Sequence, residues 1–496
     1  MQKLLGVTLF LATLLVPVVA QPTSILIVNG RVIDGTGAKG KSVAIRMVGD
    51  LITEIGKLTP TPADRVIDAR GNVVAPGFID IHNHSETGLE RQRTADSQIL
   101  QGITTLAVGP DGGSPWPIGE YLQRREQKPP AVNVMAFVGH ATVRRKVLGA
   151  EFNRTATKAE IQQMAQLVEQ GMREGAIGLS SGLEYDIGLP STTEEVIALA
   201  KVAAKHGGIY MSHIRDESDS MLIALKEAIR IGREAKIPVQ ISHIKLGTVG
   251  VWGKAAEAIA MIEEARKEKL DVTADCYPYD AWHSTITVLI PSRKHDDPRE
   301  VSKGLNDVGG AVNVTITNCA HHREYEGKTL QQLADDNKTT AVEMYMRIVK
   351  DGGAGVVCRS MIDKDIEAFY RQSWVMVSSD GGIGGRHPRG AGTFPRVLGR
   401  FVREKKWLKL EDAVRKMTSA PAARLGLKDR GVLRVGAKAD VVIFDAKKVL
   451  DQATFVKPFE VPIGILHVFV NGEQVVRDSN VSGATPGRVL LNPKAK

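Results

Sequence analysis

Apolar residues along this chain keep two rhythms, and their alternation predicts the fold. Short runs rich in Val, Ile and Leu, bounded by Gly, Asp and Asn, alternate through the middle of the sequence with longer stretches whose apolar positions recur every three or four residues. The first pattern is that of a buried strand and the second that of an amphipathic helix, and together they are the βαβ signature of a parallel sheet. Eight strands are predicted, at 78–82, 104–109, 132–140, 176–183, 209–214, 239–244, 272–279 and 375–380. Helices such as TKAEIQQMAQLVEQGMREG and SMLIALKEAIRIGREAK fit the gaps. Eight such units predict an α/β chain built as a (β/α)8 TIM-like barrel over 76–428. The stretch between the seventh and eighth strands is too long for one helix, which predicts an insertion at 286–355.

Both ends read differently. Residues 21–75 and 429–496 hold short β-rich runs separated by turn residues, as in ILIVNGRVIDG and GVLRVGAKADVVIFDA, and two such ends predict one small β-sandwich. Ahead of them, residues 1–20 carry Lys3, an apolar run, Pro17, and small or β-branched residues before Gln21, the layout of a cleaved secretory leader. The run is shorter than the roughly 20 residues of a membrane-spanning helix. The expectation is therefore an exported protein, periplasmic or extracellular, with no stable membrane anchor once the leader is removed.

Composition narrows the chemistry. Of 496 residues 43% are hydrophobic, enough for a large core, and the net charge of +9 is spread along the chain, so nucleic acid is not an expected partner. Three cysteines cannot build a disulfide framework or a four-thiolate zinc module.

In a barrel of this kind the active site gathers at the C-terminal strand ends. There the predicted first strand ends in DIHNH, the fifth in Ser212-His213, the sixth in Ser242-His243 and the eighth in Ser378-Ser379-Asp380. His82 and His84, two residues apart on a strand, share a side. Four histidines and a carboxylate at one barrel mouth suit Zn²⁺ or a similar ion. Taken singly, each histidine would more often be a surface or hydrogen-bonded core residue.

The motifs PGFIDIHNH, GAIGLSSGLEY, GGIYMSHIRDES, IPVQISHIK, VTADCYPY, SSDG followed by RHPRGAGTFPRVLGRFVRE, and EDAVRKMTSAPAARLGL, in this order, make the chain resemble the amidohydrolase superfamily, and within it the D-aminoacylase (N-acyl-D-amino-acid deacylase) family. The resemblance runs from about Ile25 to the C-terminus. It implies a metal-dependent barrel with a β-sandwich from both ends, with His82, His84, His213 and His243 as metal ligands and Asp380 as catalytic acid/base and further metal contact. Many members carry a cysteine ligand beyond the second strand; here VGPDGG places Asp111 at that position. A carboxylate is a harder ligand than a thiolate, which would admit Mn²⁺ or Co²⁺ beside Zn²⁺. Glu184 is read either as a ligand bridging two metals or as a solvated loop residue, so the site is expected to take one or two ions.

The resemblance also implies hydrolysis of an N-acyl-D-amino acid by metal-activated water, Asp380 taking a proton from the water and passing it to the leaving amine. Such a small-molecule substrate carries a carboxylate, and Tyr185, Lys245, Tyr279, Ser284, Arg386 and Arg389 are the candidates to bind it. The alternatives are a dipeptidase for D-residues, a cyclic amidase, or a binding protein that has lost its chemistry. His140 with Arg144 and Arg145 is read as pocket lining or as structural. GGIGGRHPRGAGTF is read as a lid or close-approach loop rather than a phosphate loop, and Cys319, His321 and His322 lack the spacing of a metal site.

Overall fold

In the computed structural model, which describes residues 24–493, eight parallel strands occupy the middle of the chain. They are β1 Phe78–Asn83, β2 Ile103–Val108, β3 Asn133–Ala136, β4 Gly178–Gly182, β5 Ile209–His213, β6 Val239–Ile241, β7 Val272–Cys276 and β8 Val375–Val377. The first three pair in order; past Phe137 the short strand Val138–Gly139 leads a second sheet through β4, β5, β6 and β7 to β8. Last and first strands are linked by a parallel bridge between Asn83 and Gly381, the Asp380 N–H donating to the His82 carbonyl (3.0 Å). The architecture is a TIM-type barrel with a second domain, and the predicted leader lies outside the described residues.

Strands alternate between two apolar layers. Ile79, Ile81, Ala107, Met135, Phe137, Met211 and Met376 form one cluster, whereas Phe78, Leu106, Val108, Val134, Leu179 and Tyr210 join the layer beneath the helices. Burying both faces explains the near-continuous apolar runs of the sequence. Several strands stop short of their predicted ends. β6 ends at Ile241 and β8 at Val377 because His243 (φ 31°) and Asp380 (φ 47°) turn into the left-handed region, which no strand residue adopts. β7 ends at Cys276, just before Tyr277-Pro278, where proline has no N–H for the ladder.

The two chain ends share one sheet: Val441–Phe444 pairs antiparallel with Val73–Pro76. Val74, Val441, Ile443 and Phe469 of that sheet pack with Ile27, Ile45 and Ile52 of a four-stranded sheet from the N-terminal end. Their neighbours Val73, Val442, Phe444 and Val468 turn instead to the barrel. The last residues leave the sandwich, Val489 bridging Val134 of β3 and the Asn492 N–H reaching the Gly175 carbonyl.

The insertion is wider than predicted. Its sheet holds Ala281–Thr285, Gly355–Arg359 and Val314–Asn318, so it runs over 281–359 rather than 286–355, because Ala281 pairs with Arg359 and closes it at its base. It has its own core, including Val301, Val314, Leu330, Met344, Tyr345 and Ile348. Among the described residues no helix is long and apolar enough to cross a membrane.

Candidate metal centre

The strand ends bring the histidines together. His82 is the penultimate residue of β1 with His84 just beyond its end, His213 closes β5, and His243 follows β6; ring centroids lie 5.3 Å apart for His82 and His84, 4.9 Å for His82 and His243 and 4.7 Å for His213 and His243. Asp111, in the turn after β2, reaches into the middle. The Nε2 atoms of His82, His84 and His243 face its Oδ2 at 3.3, 3.5 and 3.4 Å. Asp380 Oδ1 lies 3.4 Å from His82 Nε2 and 3.2 Å from His84 Nε2. Glu184 Oε2 is 2.7 Å from His213 Nε2.

Donor chemistry and geometry fit a metal. One carboxylate oxygen does not serve three imidazole donors well, and all three distances exceed those of charge-assisted hydrogen bonds. The second oxygen of Asp111 is buried with no hydrogen-bond partner. Ligating atoms gather in three groups: His82, His84, Asp111 and Asp380; Asp111, His213 and His243; and Glu184, His213 and Glu217. Asp111 belongs to the first two groups and His213 to the last two, so the three form one continuous set of donors. Asp111 (φ 54°), His243 and Asp380 all hold left-handed backbone, a cost of about 1–3 kcal/mol each that functional sites sustain when the surroundings enforce it.

Charges in the cluster agree. Burial opposes charge on the His84 ring, but Asp111 and Asp380 outweigh it and push it up to about 9. Burial and Lys245 oppose charge on His243, yet Glu217, Asp380 and Asp111 also carry it to about 9. Without an ion the acidic cluster draws protons onto its imidazoles; a divalent cation satisfies the same field while leaving them neutral ligands. Burial alone would raise the Asp380 carboxyl, but Arg389, His243 and His82 hold it well below the usual carboxylate range.

Two carboxylates absent from the sequence reading, Asp275 fully buried and Glu217 half-buried, support the centre. Glu217 accepts from Lys245 Nζ at 2.6 and 2.5 Å and lies 2.9 Å from His243 Nδ1. Asp275 accepts from the His243 N–H (2.9 Å), Ser378 Oγ (2.6 Å) and Gln240 Nε2 (2.8 Å), with His82 Nδ1 at 3.5 Å. The signals were present, four residues past His213 in SHIRDES and inside VTADCYPY, but only the fold puts these acids beside histidines of other strands.

The substrate candidates separate. Tyr185 lines the cavity, its ring 4.4 Å from that of His213 and its hydroxyl 3.3 Å from His213 Nδ1. Lys245 and Ser284 also line it, Lys245 held by Glu217. Arg389 is buried, its Nη1 2.6 Å from Asp380 Oδ2 and its guanidinium 4.9 Å from the Tyr277 ring. Arg386 also lines the cavity, at its half-exposed rim, where it pairs with Glu326, donates to the Thr317 carbonyl and staples the glycine-rich loop to the insertion. Tyr279 is a correction: it is absent from the cavity lining and donates to the Pro388 carbonyl beneath it. Tyr277, two residues earlier, is the ring that lies between Arg389 and Lys245.

His140 and Arg144 are fully buried against Glu195, and Arg145 lies over Phe152, so this trio is structural. The glycine-rich segment is a close-approach loop: a Cβ on Gly382 would stand 2.5 Å from the His84 carbonyl oxygen. His322 pairs with Glu324 and Asp351 at the surface of the insertion. The cavity over the metal cluster measures about 930 Å³ and is roofed by the insertion through Trp282, Ser284, Val288 and Leu289.

Comparison with known proteins agrees with this geometry. The amidohydrolase family model matches residues 65–275 and 373–476, leaving out the insertion. A D-aminoacylase of Alcaligenes xylosoxydans xylosoxydans is 35% identical over 504 residues, spanning 96% of this chain and 99% of that protein. An N-acyl-D-glutamate deacylase of the same organism is 36% identical, spanning 94% and 96%. The crystal structure of an N-acyl-D-glutamate deacylase from Bordetella bronchiseptica, complexed with zinc and a phosphonate inhibitor mimicking the tetrahedral intermediate, superposes with a TM-score of 0.86 at 31% identity, over 95% of this chain and all of that one.

Proposed function

Because the chain belongs to the amidohydrolase family, and within it to the D-aminoacylases, hydrolases of carbon–nitrogen bonds, we propose that it cleaves the amide bond of N-acyl-D-amino acids to a free D-amino acid and a carboxylate. The observation that carries this is the convergence of four histidines with Asp111 and Asp380 at the floor of an open cavity. His82, His84, His213, His243 and Asp111 would hold one or two divalent ions, with Asp380 and Glu184 as further carboxylate contacts. Zn²⁺ is the expected ion, Mn²⁺ or Co²⁺ being compatible with the carboxylate at 111. A bound ion of this kind acidifies water and polarises a carbonyl.

The chain supplies the proton transfers and the orientation. Asp380, kept ionised by Arg389, accepts a proton from the attacking water and delivers it to the departing amine nitrogen. Arg389 keeps its remaining N–H groups for the substrate carboxylate, with Lys245 and Tyr185 beside it. Glu217 fixes the ring of His243 and the ammonium of Lys245 in one contact set. The leader predicted at 1–20 supports an exported enzyme.

Metal analysis of the purified protein, joined to amine release from paired N-acetyl-D- and N-acetyl-L-amino acids, tests this reading. Chelation should abolish hydrolysis of the D-substrates and Zn²⁺ restore it. Asp380→Asn should lower kcat by about 10²–10⁴ with the metal content retained. Full activity in that variant would sink the acid/base role, and a protein that binds no metal would sink the mechanism.

A further inference from the structure

Asp111 brings its carboxylate to the centre of the metal cluster from a turn with little rigidity of its own. Gly109, Asp111 and Gly112 all hold left-handed backbone, at φ 78°, 54° and 79°. A segment whose functional residue stands among glycines has many other conformations open to it. What fixes the turn therefore comes from outside it.

A single hydroxyl clasps it. Ser180, fully buried in β4, donates from Oγ to the Gly109 carbonyl (2.6 Å) and accepts from the Gly112 N–H (3.2 Å), so it grips the backbone on both sides of Asp111. Two further contacts tie the same glycines. Glu86 accepts from the Gly109 N–H (2.6 Å), and the Thr142 N–H, in the first turn of the helix His140–Leu148, donates to the Gly112 carbonyl (3.1 Å). The turn also rests on bare backbone: a Cβ on Gly182 would stand 2.3 Å from the Asp111 carbonyl oxygen, and one on Gly139 2.2 Å from that of Gly112.

The stretch Gly178-Leu179-Ser180-Ser181-Gly182 has the GxSxG spelling of a serine nucleophile, but both hydrogen bonds of Ser180 go to backbone and it is absent from the cavity lining. Successive residues of a strand point to opposite faces. Ser181, equally buried, accordingly meets Tyr210 and Ser212 instead, at 2.7 and 3.1 Å.

Resting on the metal-centre reading above, we propose that Ser180 is a positioning residue, which locks the turn 109–112 so that the Asp111 carboxylate meets His82, His84 and His243 at one point. It acts only through Asp111. Convergent ligand sets tolerate displacements of only about 0.5 Å, so a loosened turn shows in the affinity for the ion.

The full-length protein, stripped of metal and titrated with Zn²⁺ against a competing chelator, tests this. Ser180→Ala should weaken zinc binding at least about tenfold, whereas Ser181→Ala, which removes an equally buried hydroxyl from the same strand, should change it less than about twofold. Equal effects of the two overturn the proposal. In an Asp111→Ala background Ser180→Ala should add no further loss, and a loss that adds in full overturns it as well. Gly182→Ala presses on the Asp111 carbonyl from the same strand and should also weaken zinc binding at least about tenfold; unchanged affinity in that variant overturns the clasped turn even if Ser180→Ala does not fold. If Asp111→Ala alone leaves zinc affinity unaltered, the ligand reading itself fails and takes the proposal with it.

Discussion

Glu217 shows how much of a metal centre lies behind its ligands. It touches Lys245 and His243 and stands 3.9 Å from His213 Nε2, so one carboxylate orients groups from the ends of two strands. Partners of this kind fix the ring orientation of histidine ligands. Glu217→Gln, which keeps the shape but loses the charge, should weaken Zn²⁺ affinity about 10–100-fold and lower kcat/KM by a similar factor. Chelator competition reads the first effect and amine release the second; unaltered zinc affinity would remove Glu217 from this role. Asp111 is the other instructive residue. Its shared oxygen faces three imidazoles from the ends of two strands, so a carboxylate in the turn after β2 stands at the centre of the site's convergence.

Strand ends and the helices that follow them decide where these residues point. The predicted strands were legible because both faces are buried; their last residues were not, since a turn into left-handed backbone leaves no mark on hydrophobic periodicity. The helix Leu410–Met417 shows another buried device at the opposite end of β8: Lys416 donates to the carbonyls of Gln372 and Val375 from a site only 2% exposed. Burial pushes this ammonium down to about 7, against about 10.4 in an unfolded chain. Between those values the unfolded chain holds a proton that the folded one has released, so stability rises as pH climbs from about 7 toward 10; below 7 both states are protonated and the burial cost is felt in full. Lys416→Met should melt with a flatter dependence on pH across this window, by thermal denaturation at fixed ionic strength. Parallel profiles for variant and parent would refute the assignment.

Across the whole molecule, the sandwich and barrel are joined by a buried polar knot. Asp440 is paired with Arg430, accepts from Asn133 Nδ2 of β3 (3.1 Å) and the Asn471 N–H (2.7 Å), while Asn471 Nδ2 donates to Asn133 Oδ1 (2.8 Å). Asp440→Ala leaves Arg430 buried and unpaired and should cost about 3–5 kcal/mol, seen as a melting point several degrees lower with zinc affinity unchanged. A melting point within a degree of the parent would show that the knot adds little. Local chemistry along the chain determined the succession of strands and helices, the β-rich ends, and the histidines and Asp380, because periodicity and ligand type are written residue by residue. The pairing that widens the insertion, the placement of Arg389 against Asp380 and Tyr277 while Arg386 pairs with Glu326, and the arrival of Glu217 and Asp275 beside the histidines were decided only by tertiary structure. Each depends on which segments meet across the barrel mouth, and no pattern confined to one segment encodes that meeting.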